Sequence, residues 1–167
     1  FQALAQLDLD PKSFLAKANH ALGNCLEKSS FITLTLFLVD TSIKKIMLVR
    51  GGHCPALYYK DNTKQVEFLR SKGMGLGIVL DDTFSTHIDL VELDFEPHDQ
   101  LLFYTDGITE ARNKTGDEYG FDRLKLFMQN NHTKEPKRTV NALIESVFDF
   151  CQGASIEDDY TIFLIKF

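Results

Sequence analysis

The chain has 167 residues, a hydrophobic fraction of 44%, a charged fraction of 25% and a formal net charge of −6. That length suits one domain, residues 1–167, with a substantial core, and the composition is that of an ordinary globular protein. Its 18 basic residues are scattered, which argues against the positive stripe that a nucleic-acid partner requires.

Asp10-Pro11 opens the first predicted helix, with aspartate as N-cap and proline at the first helical position. Phe14, Leu15, Ala18, Ala21, Leu22, Cys25 and Leu26 then recur at a helical period and form one apolar stripe. Residues 31–39 read as a strand: Ile32, Leu34, Leu36 and Leu38 share one face, Phe31, Thr33, Thr35 and Phe37 the other. Both faces are expected to be covered. Asp40-Thr41-Ser42 turns the chain into a second strand at 45–50, and Gly51-Gly52-His53 breaks it before a third at 56–60. Residues 61–64 have hairpin-turn composition and lead into a strand at 65–69. A glycine-rich stretch, Gly73-Met74-Gly75-Leu76-Gly77, reads as a turn because no βαβ unit surrounds it. Residues 84–93 alternate like a strand, 96–99 turn, and 100–105 form a short, strongly apolar strand.

The last third becomes helical. Leu124, Leu126 and Phe127 mark a helix over 121–130, and Val140, Leu143, Ile144, Val147, Phe148 and Cys151 mark a second one beyond Pro136, with Gly153 just past its end. Residues 162–167 close the chain as a buried strand. Short turns between most strands imply antiparallel sheets with helices packed outside, an α+β unit. The longest apolar run, 31–39, is far shorter than the roughly 20 residues that cross a bilayer, so direct membrane insertion is not expected. No leader peptide opens the sequence, and a start at Phe1 suggests a piece of a longer protein. Cys25, Cys54 and Cys151 are odd in number and lack a C-x-x-C pair, against both a disulfide framework and a zinc site. Cys25 and Cys151 are expected in the core, and a reducing cytoplasm is the simplest setting.

Asp106-Gly107 is the most informative chemical feature. Leu101-Leu102-Phe103-Tyr104 is nearly all apolar, so Asp106 emerges from a core strand onto its rim, and Gly107 removes a side chain that would block an approaching ion or phosphate. Taken alone, Asp-Gly is also an ordinary turn dipeptide. A second acidic group, Glu157-Asp158-Asp159, precedes the final strand, either as a solvated loop or as a site whose crowded charges a cation neutralises. Aspartates at the ends of two apolar strands could meet at one sheet edge, where Mg²⁺ or Mn²⁺ finds the oxygen ligands it prefers.

The segment Leu101-Leu102-Phe103-Tyr104-Thr105-Asp106-Gly107-Ile108-Thr109-Glu110-Ala111-Arg112-Asn113 resembles the signature of SpoIIE/RsbU-like phosphatases, a bacterial branch of the metal-dependent (PPM) protein phosphatases. Gly120-Phe121-Asp122-Arg123-Leu124, Asp158-Asp159-Tyr160-Thr161, Gly51-Gly52-His53-Cys54-Pro55 and Gly75-Leu76-Gly77 resemble further family segments, in the family's order. The resemblance implies two stacked antiparallel β-sheets flanked by α-helices, and hydrolysis of phosphoserine or phosphothreonine by two Mn²⁺ or Mg²⁺ ions that hold a bridging hydroxide. It makes Asp106 and Asp158 metal ligands and leaves Tyr104, Thr105 and Gly107 to shape the strand end.

It also implies a phosphorylated regulatory protein as substrate, such as an anti-sigma factor antagonist, and an upstream sensor region that could tether the intact protein to a membrane. The family's early Gly-Asp pair and its D-x-x-G-H-G segment, which supply further acidic ligands, are absent and are expected before Phe1. This chain alone is therefore expected to be weakly active or inactive. A catalytically incompetent binding or regulatory module is the alternative reading, and sheet edges exposed by truncation allow a homodimer. His98 stands where the family usually has glycine. Among other candidates, His53 reads as a turn brace or a general base. Cys54 lacks the arginine of a cysteine-phosphatase loop, because Lys60 stands in its place. Asp8-Leu9-Asp10 mimics a nucleophile motif but caps a helix.

Overall fold

Asp10 caps the first helix, as its place before Pro11 predicts. Its carboxylate accepts bonds from the Lys12 N–H (2.9 Å), the Ser13 N–H (3.0 Å) and the Ser13 hydroxyl (2.6 Å). These bonds, the Ser13 hydroxyl's above all, hold its carboxyl below the usual aspartate range. The computed structural model describes residues 2–23, 25–27, 29–132, 135–154 and 158–167. Its helices are α1 (Pro11–Leu22), α2 (Asp106–Thr109), α3 (Gly120–Asn131) and α4 (Pro136–Cys151). Its strands are β1 (Leu34–Asp40), β2 (Lys45–Gly51), β3 (Leu57–Lys60), β4 (Gln65–Phe68), β5 (Leu90–Asp94), β6 (Gln100–Tyr104) and β7 (Ile162–Lys166). Two antiparallel sheets and their helices make an α+β fold, divided between two compact units.

The first unit comprises Phe1–Pro55 and Arg70–Phe95. Its sheet has the order β1-β2-β5, and β1 pairs with β2 from Leu34↔Gly51 to Asp40↔Lys45. The connecting turn is built by Asp40, whose carboxylate accepts from the Ser42 N–H (2.9 Å) and hydroxyl (2.6 Å). β2 is the central strand, and its Ile46, Leu48 and Val49 are fully buried. Phe14, Leu15 and Ala18 of α1 pack with Val49, Leu76, Phe84 and Ile88 in one apolar cluster. A fully buried leucine such as Leu15 contributes about 2 kcal/mol. Asn19 is buried on the same helix and bonded at both ends of its amide: its nitrogen donates to the Val79 carbonyl (2.7 Å), and its oxygen accepts from the Gly77 N–H (2.8 Å). These two bonds fix the glycine-rich stretch to α1.

The second unit comprises Ala56–Leu69 and Glu96–Phe167. Its sheet has the order β4-β3-β6-β7, all antiparallel. β3 and β6 are interior strands, and Leu57, Tyr58, Tyr59, Leu101 and Leu102 are fully buried there. α3 packs on β3 and β4, and α4 packs on β7. Thr139, Leu143, Val147 and Cys151 recur every four residues as the buried line of α4. That helix ends at Gln152 (φ 52°) and Gly153 (φ 84°), the left-handed stop that Gly153 predicts.

Several expectations are corrected. α1 stops at Leu22, so the apolar period that carried Cys25 into the core runs past the helix, and Cys25 is exposed. β1 starts only at Leu34 and lies at a sheet edge, half-buried, with Leu38 43% exposed; it is not covered on both faces. Residues 84–87 belong to a 3-10 helix, Asp82–His87, because the Asp81 carboxylate accepts the Thr83 N–H (2.8 Å) and caps it. Leu126 and Phe148 face solvent, and the buried line of α3 is Leu124 and Met128. β7 is an edge strand, half-buried rather than buried, with Phe163 exposed.

Candidate functional site

β6 is interior because its residues are apolar on both faces, and its end becomes the rim of the sheet. Tyr104 pairs with Ile162 of β7, and the pairing continues one step further: the Thr105 N–H donates to the Thr161 carbonyl (3.1 Å). The Thr105 hydroxyl oxygen accepts from the Thr161 N–H (2.8 Å), and the hydroxyl donates to the Asp159 carbonyl (3.4 Å). Thr105 thus fastens the residues after β6 to those before β7, the strand-end role that the resemblance implies for it. Asp106 is exposed and begins α2, whose Gly107, Ile108 and Thr109 are buried.

The two aspartates share a local pattern. Asp106 Oδ1 accepts from the Gly107 N–H (3.1 Å), and Asp158 Oδ1 accepts from the Asp159 N–H (2.8 Å). Neither forms an ion pair among the described residues, and both are exposed. The backbones of the Asp106 and Asp158 segments therefore come together at one end of the β6–β7 pair. Glu157, the third acid of the group, lies outside the described residues. Paired carboxylates suit a hard divalent cation. No group of three or more His, Cys, Asp or Glu side chains able to hold a metal occurs among the described residues.

Gly107 has a packing reason that its local sequence does not show. A Cβ there would lie 2.7 Å from the Asp159 carbonyl oxygen, 3.2 Å from its carbon and 3.4 Å from the Asp158 oxygen. The missing side chain admits the chain before β7. Alanine would gain up to about 1 kcal/mol of helix propensity. It would also force backbone atoms apart that Thr105 holds together, at about 1–3 kcal/mol. Gly107→Ala is expected to lower the urea midpoint, and an unchanged or raised midpoint would show that the two segments yield freely.

The remaining candidates find structural uses. Arg50 donates through Nη1 to the His53 carbonyl (2.8 Å) and through Nη2 to the Ser71 carbonyl, and the Thr33 hydroxyl lies 3.4 Å from His53 Nδ1. His53 thus sits in a braced turn. Lys60 pairs with Glu67 across the β3–β4 hairpin (3.0 Å), and Asp10 is the α1 cap. His132 stacks on Tyr59 with ring centroids 4.5 Å apart.

His98 has φ 76° and donates its N–H to the Phe167 carbonyl (2.7 Å). A left-handed backbone disfavours a side chain but leaves that bond available to glycine. His98→Gly is expected to stabilise by about 0.5 kcal/mol, raising Tm by about 1–2 °C. A fall in Tm would mean that the imidazole contributes more than the strain it carries.

The residue that sequence reading missed is Asp99. It is 3% exposed and accepts from the Tyr58 hydroxyl (2.5 Å), the Asp61 N–H (2.7 Å) and the Glu96 N–H (2.9 Å). Burial, and then the Asp99 bond, push the Tyr58 hydroxyl far above the usual tyrosine range, so it stays a donor. The signal available was an aspartate at the mouth of the most apolar strand, read only as the last turn residue.

The family model described as Stage II sporulation protein E (SpoIIE) matches residues 1–167. Phosphoserine phosphatase RsbU of Bacillus subtilis (strain 168) is 23% identical over 167 residues, covering 98% of this chain and 47% of RsbU. The chain thus spans about half the length of that relative. Among solved structures, the phosphatase domain of the cell fate determinant SpoIIE from Bacillus subtilis, Mn presoaked, shares 19% identity. Its TM-score is 0.66, over 99% of this chain and 70% of that one. The SiaA-PP2C domain of Pseudomonas aeruginosa shares 16% identity, with a TM-score of 0.81 over 95% of this chain and 61% of that one. These structural likenesses establish the fold.

Proposed function

The chain belongs to the SpoIIE family, and on that premise we propose that it is part of a single metal-dependent protein serine/threonine phosphatase domain. The observation that carries the reading is the β6–β7 pairing, which brings the Asp106 and Asp158 segments to one sheet end. In this reading both carboxylates are metal ligands, and the remaining oxygen ligands come from outside the described residues. Bound Mn²⁺ or Mg²⁺ ions would supply an activated water and neutralise phosphoryl oxygens. The chain's own part is to hold the two carboxylates in register. Thr105 ties the segments, Gly107 admits the Asp159 carbonyl, and each aspartate is oriented by the N–H that follows it.

The substrate is a phosphorylated regulatory protein of the anti-sigma factor antagonist kind, met in the cytoplasm, with an upstream sensor module controlling the intact protein. RsbU, a phosphoserine phosphatase by name, supports the serine assignment. No helix among the described residues is long and apolar enough to cross a membrane. The test is phosphate release by the full-length protein from phosphoserine, phosphothreonine and phosphotyrosine peptides. Release from the first two only, dependent on Mn²⁺ or Mg²⁺ and abolished by EDTA, is expected. Metal-independent release, or a preference for phosphotyrosine, would overturn the assignment.

The second reading, a catalytically incompetent binding module, is favoured by the lack of a three-ligand group among the described residues. Calorimetric titration of the isolated chain with Mn²⁺ addresses that point. Weak binding, with release restored in the full-length protein, supports the enzyme. Weak binding in both supports the module.

A further inference from the structure

Two glycine-bearing segments that the phosphatase reading leaves without a role meet in the first unit. A Cβ on Gly52 would lie 2.8 Å from the Gly75 nitrogen, and one on Gly73 would lie 2.6 Å from the Arg50 carbonyl oxygen. The end of β2 and the stretch from Lys72 to Gly75 therefore approach backbone to backbone, as only residues without side chains permit. Arg50 reinforces the approach from behind by donating to both the His53 and Ser71 carbonyls.

This close approach makes the floor of an open cleft of about 470 Å³. Its walls are apolar: Phe31 is 59% exposed and Ile78 is 55% exposed, and Met74 adds to the lining. Such a volume is ample for one or two side chains of a partner. Large apolar side chains left this open at a concave place mark an interaction surface more often than chance exposure does.

The charge of the cleft identifies what fits it. Lys72 and His87 are its ionisable lining residues among the described residues, in a chain whose net charge is −6. Lys72 makes no ion pair among the described residues. The Asp89 carboxylate accepts from the Lys72 backbone N–H (3.2 Å) but does not line the cleft, so Lys72 is the fixed charge of the described lining. An acidic partner is repelled by most of this surface and attracted here, which sets where it docks.

We infer that the cleft between Phe31, Gly75 and Ile78 docks an extended acidic segment of a partner protein, seating one aliphatic side chain on the glycine floor with a carboxylate against Lys72. This goes beyond the phosphatase reading and does not depend on it.

The test uses the full-length protein and three fluorescein-labelled peptides, read by anisotropy: Glu-Glu-Leu-Glu-Glu, Glu-Glu-Ser-Glu-Glu and Lys-Lys-Leu-Lys-Lys. The first is expected to bind at least about 10-fold more tightly than the other two, since one desolvated apolar side chain or one close charge pair accounts for about that factor. Lys72→Glu should remove the preference for acidic residues. Gly75→Ala, whose Cβ would lie 3.2 Å from both the Phe31 and Ile78 side chains, should remove the preference for leucine with the charge untouched. Matching thermal melts establish that both variants fold. Hydrolysis of p-nitrophenyl phosphate by Lys72→Glu at the parent rate separates docking from catalysis. Equal binding of all three peptides overturns the inference, as does binding indifferent to both substitutions. So does a cleft occupied instead by phosphatidylserine vesicles or by a second copy of the chain.

Discussion

Replacing Asp106 by asparagine in the full-length protein is expected to reduce Mn²⁺-dependent phosphoserine hydrolysis by at least about 100-fold, since losing a ligand of the proposed metal site costs more than the 10–100-fold typical of a residue supporting one. The substitution is close to isosteric. The Gly107 N–H that now bonds Oδ1 at 3.1 Å finds the same acceptor in an asparagine, so α2 keeps its first turn. Only the negative charge is removed. Asp106 is exposed and forms no ion pair among the described residues, so stability should change by less than about 0.5 kcal/mol. Asp158→Asn should behave alike, because its Oδ1 is held by the Asp159 N–H in the same way. The double variant should lose little more than either single one, as expected of groups that act as a unit. Undiminished turnover in either single variant would remove that residue from the proposed metal site.

What the sequence discloses about this site is the strand, the aspartate and the pairing of motifs. What it conceals is the mutual packing of segments distant along the chain. Leu101-Leu102-Phe103-Tyr104 reads as a core strand because an unbroken apolar run fits an interior position, and β6 is interior. The α4 line emerges the same way, since Leu143, Val147 and Cys151 repeat at a helical spacing. Phe163 and Leu38 mislead for one shared reason: an edge strand has the composition of a central one, and burial depends on neighbours that the local sequence does not record. Alternation over residues 84–93 predicts a strand, yet Asp81 and Thr83 make a cap that starts a 3-10 helix, and local side-chain bonding overrides the period. Gly107 is legible as a required glycine, but one reason for it, the Asp159 carbonyl that would lie 2.7 Å from an added Cβ, belongs to a residue more than fifty positions later.

Asp99 is the site where that blindness matters most for stability, and its replacement by alanine is expected to cost about 3 kcal/mol. A change of that size lowers Tm by about 6–12 °C in a chain of this length. Three donors converge on its carboxylate, from Tyr58, Asp61 and Glu96. Asp61 is half-buried and Glu96 exposed, so water can reach their amides once the carboxylate is gone. Tyr58 is fully buried, out of reach of water. Most of the cost is therefore expected to sit on the Tyr58–Asp99 pair, which a double-mutant cycle isolates. Tyr58→Phe alone removes one donor and should cost about 1 kcal/mol. In the Tyr58→Phe background, Asp99→Ala should cost at least about 1 kcal/mol less than in the parent. Additive effects would show instead that the two turn amides carry the cost. Asp99 also stands at the opposite end of β6 from Asp106, before Gln100, the strand's first residue. Its loss should thus lower the unfolding midpoint while leaving phosphate release intact at temperatures where the variant stays folded. Loss of activity in the folded variant would mean that the register of β6 reaches from the Asp99 turn to the Asp106 end, and that one carboxylate sets both.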